Sequence, residues 1–316
     1  MGRFFLQRLL TAVPILLMVS LITFGLIHMV PGDPSAALGG LSATPAELAQ
    51  LRHDLGLDRS LWVQLWLYYA GLLHGDLGRS ILLGQGVAQA TVQRLPVTLS
   101  LSLYALVITL LLGLATGIVG ALRQNTLADQ AVMMFAMFGI SVPSFWLALL
   151  MIILFAVKLG WLPTGGYVPF TESPLGWLRT ATMPAISLAL LQVGLLARIT
   201  RSTMLETLRQ DFIRTARAKG LPGRMVVGKH ALANALIPIT TVVGIVITLL
   251  VSGSVVTETV FSIPGIGQLL TSAILNRDYP LVQGGLLIMT ALLVLVNIGI
   301  DLCYALLDPR VRYDAR

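Results

Sequence analysis

The sequence has 316 residues, of which 56% are hydrophobic and 11% charged, against about 45–50% and 25% in a soluble domain. A soluble fold of this size has no interior for that much apolar surface, and the same figures exclude disorder, collagen and coiled coil. Lys and Arg outnumber Asp and Glu by 21 to 14, leaving +7; in a membrane chain this points to basic cytoplasmic loops rather than to nucleic acid. The single cysteine, Cys303, rules out an internal disulfide framework and a cysteine-based zinc cluster.

Six long windows contain no Asp, Glu, Lys or Arg: 9–32, 95–122, 130–157, 180–197, 230–257 and 279–300. A membrane helix needs about 20 residues, so each window holds one span. The fourth has 18 residues and is expected to use Arg198 as a snorkelling end. The first is longer than a signal-peptide core and is followed by Met-Val-Pro-Gly-Asp instead of a cleavage site, so it reads as a retained helix. Residues 60–75 are too short to span, and their Trp and Tyr residues suit a membrane interface. Residues 259–276 read as a loop with a short helix after it.

The chain therefore divides into a tail and first span (1–32), a loop subdomain (33–94), a five-helix core (95–307) and a C-terminal tail (308–316). With both termini inside, the cytoplasmic segments hold 14 basic residues and the outer segments 7, the distribution expected of a cytoplasmic side. Within 33–94, Thr44-Pro-Ala-Glu47 forms a capping box, Gly56 is suited to stop that helix, and Ser60 is placed to cap the next. This subdomain is expected to lie on the outer membrane face. Gly113, Gly117 and Gly120 form a small-residue stripe in span two.

The segment 198–236 carries the clearest signal. Eight basic residues and two acids separate spans four and five. Asp211 is placed to cap a short helix over 212–219, which Gly220 and Pro222 end. Ala216 and Gly220 share a small-residue face rimmed by Arg214, Arg217 and Lys219, a surface suited to docking in a partner's groove. Gly223 to Lys229 matches the first seven positions of a phosphate loop, but His230 stands where the Mg²⁺-binding hydroxyl is required, and no strand precedes it.

The run Asp211-Phe-Ile-Arg-Thr-Ala-Arg-Ala-Lys-Gly220, followed by His230 to Asn234 and Pro238, resembles the cytoplasmic "EAA" loop of bacterial ABC-importer permeases. The dipeptide/oligopeptide/nickel branch, and its first permease, is the most similar. Pro31-Gly-Asp-Pro34, Leu55-Gly-Leu-Asp58, Gly75-Asp-Leu-Gly78, Phe261-Ser-Ile-Pro-Gly-Ile-Gly267, Arg277-Asp-Tyr-Pro280 and Asp308-Pro-Arg310 agree in order along the chain. Arg214-Thr215-Ala216 stands where the wider family has Glu-Ala-Ala, as is usual in the peptide branch. Ala233 replaces a basic residue common before Asn234.

The resemblance implies an all-α membrane protein with six spans, of the type I ABC-importer architecture, in a bacterial inner membrane. It implies a second homologous permease, two ATPase subunits that bind ATP and Mg²⁺, and an extracytoplasmic solute-binding protein. The chain itself is expected to hold no cofactor or metal and to be no enzyme. Asp211, Arg214, Thr215, Ala216, Arg217, Ala218, Lys219, Gly220, His230 and Asn234 are the expected ATPase-docking positions. The solute is expected to be peptide-like, with nickel or another small solute on the same machinery as alternative. An ion-coupled secondary transporter is the rival class, but Asp301 is the one candidate relay group within a span.

Four residues are candidates for the translocation path. Ser141 and Ser144 flank Pro143 and either line a path or cap the kink. Asp301 lies in the last span, expensive unless paired. Glu258, at the outer end of span five, faces either the binding protein and a substrate amine or a partner in its loop. His28 reads as a packed interface residue.

The topology is testable in a Cys303→Ser background. An impermeant thiol reagent added from outside is expected to label Gln85→Cys and spare Gln210→Cys; the reverse pattern contradicts the assignment.

Overall fold

A computed structural model describes residues 2–29, 44–54, 56 and 58–307. Pro31–Pro34, Leu55, Asp308–Arg310, the tail 308–316 and the side chains of His28 and Cys303 lie outside the described residues. The described elements are helices: α1 (Gly2–Met29), α2 (Pro45–Asp54), α3 (Leu61–Leu73), α4 (Val87–Leu122), α5 (Leu127–Ser141), α6 (Ser144–Met151), α7 (Pro174–Leu208), α8 (Asp211–Ala218), α9 (Gly223–Met225), α10 (Ala233–Val260), α11 (Ile266–Leu275) and α12 (Tyr279–Leu307). Two π-helical segments, Ile152–Lys158 and Val226–Leu232, extend α6 and join α9 to α10. By length and composition, five helices are able to cross a membrane, and six spans result if the bent pair α5 and α6 counts as one. The fourth span is not short: α7 runs for 35 residues, well past both edges of its charge-free window.

The chain forms two compact units, Met1–Pro96 with Gly265–Leu295, and Val97–Pro264 with Val296–Arg316. In the first, the capping box closes as the sequence predicts: the Thr44 N–H donates to Glu47 Oε2 at 2.7 Å, and the Glu47 N–H returns to Thr44 Oγ1. The Thr44 N–H and then the Thr44 hydroxyl, which also donates to Glu47 Oε2 at 2.9 Å, hold the Glu47 carboxyl below its ordinary range. Gly56 ends α2 at φ +66°. Ser60 occupies the N-cap of α3, but its hydroxyl makes no capping bond. Helix α3 packs on α1 through the Ser20–Tyr69 hydroxyl pair at 3.0 Å and the Phe24 and Tyr68 rings, leaving Trp62 and Trp66 exposed.

Asp278 is fully buried and organises the rest of that unit. Its carboxylate accepts from Ser80 Oγ, the Leu82 N–H and the Leu281 N–H, so it caps α12 and pins the turn before α4. Two tetrapeptides far apart in the chain, Gly75–Gly78 and Arg277–Pro280, thereby meet: a side chain on Gly78 would touch Pro280.

The second unit is centred on α7, which buries residues along most of its length. Its neighbours approach through glycine. A β-carbon on Gly117 would lie 2.7 Å from the Ala197 carbonyl, and one on Gly139 would lie 2.8 Å from the Leu190 carbonyl. Gly194 meets the Ala136 carbonyl in the same way. The stripe in span two thus packs α4 on α7. At one end of α5, Thr126 caps the helix and Asp129, in its first turn, receives a bidentate fork from Arg201 of α7 at 2.6 and 2.7 Å.

The Gly139–Gly194 crossing makes a testable demand. Gly194→Ala is expected to cost about 1–3 kcal/mol by overpacking, seen as a lowered thermal midpoint of the purified protein in detergent. Gly299→Ala, with nothing within 4 Å of the added carbon, serves as the control and should leave the midpoint unchanged.

Candidate functional site

The short helix foreseen between spans four and five is α8. It begins one residue earlier than expected: Gln210 is the N-cap and makes no side-chain capping bond, while Asp211 is the first helical residue. Asp211 does not cap; its exposed carboxylate lies 3.3 Å from Arg214 Nη1. A negative charge in the first turn still complements the helix dipole. The helix ends in a Schellman motif. The Leu221 N–H reaches the Ala216 carbonyl, the Gly220 N–H reaches that of Arg217, and Gly220 holds φ +77°. This is the left-handed exit that the glycine predicts.

The docking face needs correction at Ala216. Ile213 and Ala216, three residues apart and so on one face, are both buried. They insert into a cluster with Met204 of α7, Val226 and Ala231 of the π segment, and Ala235 of α10. Ala216 is therefore part of the seat, not of the outward surface. The small side chain is needed because α8 lies close over two helix ends. Outward face Phe212, Arg214, Thr215, Arg217, Ala218, Lys219 and Gly220, all exposed. Thr215 bonds back to the Asp211 carbonyl at 3.0 Å. Asn234 is exposed, but its amide donates to the His230 carbonyl at 2.7 Å, and His230 is half-buried. The seat places Ile213 and Ala216 in one cluster with residues of α7, the π segment and α10.

The phosphate-loop look-alike Gly223–Lys229 is helical, α9 running into the π segment. From Met225 onward its amides are directed along the helix instead of into a cradle.

Among the path candidates, Ser141 and Ser144 lie at a break where α5 and the α6 segment turn by 101°, far sharper than a proline kink. Neither serine caps it: the ends are formed by Val142 and Pro143, with the Val142 N–H bonded to the Phe138 carbonyl. Ser141 is exposed and Ser144 half-buried. Glu258 is fully buried and accepts from Thr98 Oγ1 of α4 at 2.7 Å. Glu258 thus has a packed partner, on α4 instead of in its own loop, and a second Schellman motif, with Ser262 at φ +52°, sends the chain away from it. The loop before α7 is fastened to the same corner, where the Gly166 N–H donates to the Phe261 carbonyl at 2.9 Å. Asp301 borders a recess of about 340 Å³ whose wall includes Thr241, Gly244, Thr248 and Asn297. The last two are joined at 2.8 Å, the Thr248 hydroxyl donating to Asn297 Oδ1. Sequence reasoning missed Asn297 and Thr248, because uncharged polar residues do not interrupt an apolar window. It also missed Asp278, two of whose partners, Ser80 and Leu82, lie nearly two hundred residues away.

Compared with known proteins, residues 1–102 match the N-terminal family model of binding-protein-dependent transport system membrane components, and residues 109–313 match the model of the inner membrane component itself. A Brucella abortus (strain 2308) protein that bears a peptide transport system permease name is 50% identical over 98% of both chains. The dipeptide transport system permease protein DppB of Alkalihalophilus pseudofirmus is 40% identical over 98% of both chains. That of Escherichia coli (strain K12) is 37% identical over 99% of both. Among solved structures, an inward-facing MetNI methionine ABC transporter chain superposes with a TM-score of 0.58 at 19% identity, covering 70% of this chain and 97% of that one. An amino acid ABC transporter chain gives a TM-score of 0.52 at 15% identity, covering 71% of this chain and 94% of its own. At those identities the likeness is one of fold.

The seat of α8 is directly testable. Ile213→Ala removes a fully buried side chain and is expected to cost about 2–5 kcal/mol, detected as faster proteolysis at the 209–222 segment in the purified protein. Phe212→Ala, on the exposed side, is expected to leave the digestion rate unchanged.

Proposed function

Because this chain belongs to the family of binding-protein-dependent transport system inner membrane components, we propose that it is one of two permease subunits of an ATP-driven importer for short peptides. The termini lie in the cytoplasm. An extracytoplasmic binding protein delivers the solute, and two ATPase subunits bind ATP and Mg²⁺ below the membrane. Peptide is favoured over nickel or another small solute because the relatives compared above carry peptide or dipeptide transport names.

The observation that carries this reading is the seat of α8. Ile213 and Ala216 lock the helix to the ends of α7 and α10, while Arg214, Thr215, Arg217, Ala218 and Lys219 face outward. In this reading the outward surface sits in an ATPase groove. Closure of the ATPase pair pushes α8, and α8 has no independent freedom, so the displacement passes into spans four and five as a rigid-body rotation. The chain contributes no hydrolysis; it converts a push into a change of access. Exposed Asp211 and Asn234 and half-buried His230 complete the docking positions of this reading. Ser141, Ser144 and Asp301 are the path residues of this reading.

The test uses Ala218, exposed at the centre of the outward face. A tryptophan there should hold the surfaces apart; overpacking of about 1–3 kcal/mol corresponds to about 5- to 150-fold in docking. Ala218→Trp is expected to lower transport and substrate-stimulated ATPase activity together, with normal membrane insertion, while Arg224→Ala has a milder effect. Normal transport by Ala218→Trp would refute the docking assignment. Ala216→Trp is not informative, since it unseats the helix within its own chain.

A further inference from the structure

The exposed side of α10 is unlike a lipid-facing surface. Thr241, Ile245, Thr248, Ser252, Val256 and Thr259 recur at helical spacing along one face, and all are exposed except half-buried Thr248. From 241 to 259 this face extends about 27 Å at 1.5 Å per residue, close to the roughly 30 Å of bilayer hydrocarbon. Four of its six residues carry hydroxyls. On α1, by contrast, the exposed residues of the span include Leu10, Val13, Leu17, Met18, Leu21 and Ile22.

Serine and threonine hydroxyls alone do not exclude lipid, because they bond back to their own helix. Here Ser252 donates to the Thr248 carbonyl at 2.9 Å and Thr259 to the Val255 carbonyl at 2.8 Å. Asn297 of α12 is different. Its Oδ1 accepts from Thr248, and that is its one side-chain bond among the described residues. Its amide N–H groups are left at an exposed position within a span, five residues before the end at Leu302. Hydrocarbon offers no acceptor, so a lipid contact there is strongly unfavourable. Asp301 follows one turn later on the same face and borders the same recess. A carboxyl group within a span likewise belongs beside water or protein rather than lipid.

We propose that this polar face, formed by Thr241, Thr248, Ser252 and Asn297 with Asp301 at its end, lines the aqueous translocation path and holds the passing peptide by its backbone amides. The peptide part rests on the function proposed above. Hydroxyl and carboxamide groups both donate and accept, which matches the N–H and C=O groups that every peptide shares. The face has no Lys, Arg or aromatic residue to select among side chains. It therefore grips what short peptides have in common, and selection among them is left to the binding protein. The recess is open on one side in this chain, and the second permease supplies the opposite wall.

The experiment uses the assembled importer, with its ATPases and binding protein, in membrane vesicles. Thr248→Cys, Ser252→Cys and Asn297→Cys are made singly in a Cys303→Ser background, with Leu17→Cys as the lipid-facing control. Co-purified ATPase verifies assembly of each. A hydrophilic methanethiosulfonate is expected to modify the three path cysteines at least about tenfold faster than Leu17→Cys, because the reactive thiolate forms in water. A dipeptide presented with binding protein and ATP should slow that modification. Rates as slow as the control would assign the face to lipid and overturn the proposal. Slow modification with ready disulfide formation, under a mild oxidant, to a cysteine introduced on the facing surface of the second permease would make it a subunit seam, and overturns it equally. Fast modification that a non-peptide solute slows and a dipeptide does not would sink the peptide reading alone, leaving the path assignment standing.

Discussion

Helices in lipid gain nothing from hiding apolar surface, since the solvent is as apolar as they are. What holds them is close contact, and in the larger unit that contact runs through α7. Gly113 and Gly117 bring α4 against Leu196 and Thr200. Gly139 and Gly194 bring α5 and α7 together at their carbonyls, and Gly253 of α10 lies close to Leu188. The Asp129–Arg201 fork fixes how far α5 and α7 are able to slide past each other. Because α7 touches so many partners at backbone distance, small shifts of it are felt throughout the unit.

That hub also explains how an external push would enter. Helix α8 has two turns, too few to be stable by itself. Its order comes from Ile213 and Ala216, which join the same cluster as Met204 of α7 and Ala235 and Ile239 of α10. A short helix that owes its structure to its packing is placed by that packing. The basic residues take no part in the seat.

The spans were legible because charge is excluded from hydrocarbon, so gaps in Asp, Glu, Lys and Arg outline them. The stop at Gly220 was legible because few other residues adopt its backbone conformation. Ala216 was misread for a physical reason. Alanine is small enough for either face, and the informative neighbour was Ile213, whose burial three residues earlier sets which way the helix turns. Pro143 announced a break but not its 101° size, which depends on what α5 and α6 each pack against. Glu258 could not be placed, because Thr98 lies far off in sequence; at Asp278 the cap on α12 is local, but the bond to Ser80 spans nearly two hundred residues. Thr248 and Asn297 escaped notice because a filter based on charge does not register an amide.

The π-helical segment Val226–Leu232 has a geometric consequence for everything after it. Wider turns hold an additional residue compared with an α-helix, and each residue along an α-helix accounts for about 100° of rotation. The π turn thus absorbs a surplus residue close to α8, some twenty residues before Thr248, and α10 keeps the facing that an ordinary helix one residue shorter would give it. Removal of one residue from this segment would allow an ordinary helix to form without a gap. It would leave α10 facing as it does, with Thr248 beside Asn297 and Glu258 beside Thr98, whereas an extra residue placed in an ordinary α-helical turn of α10 before Thr248 would rotate everything after it by about a quarter turn. In this protein the number of residues between two points is as much a part of the specification as their identity.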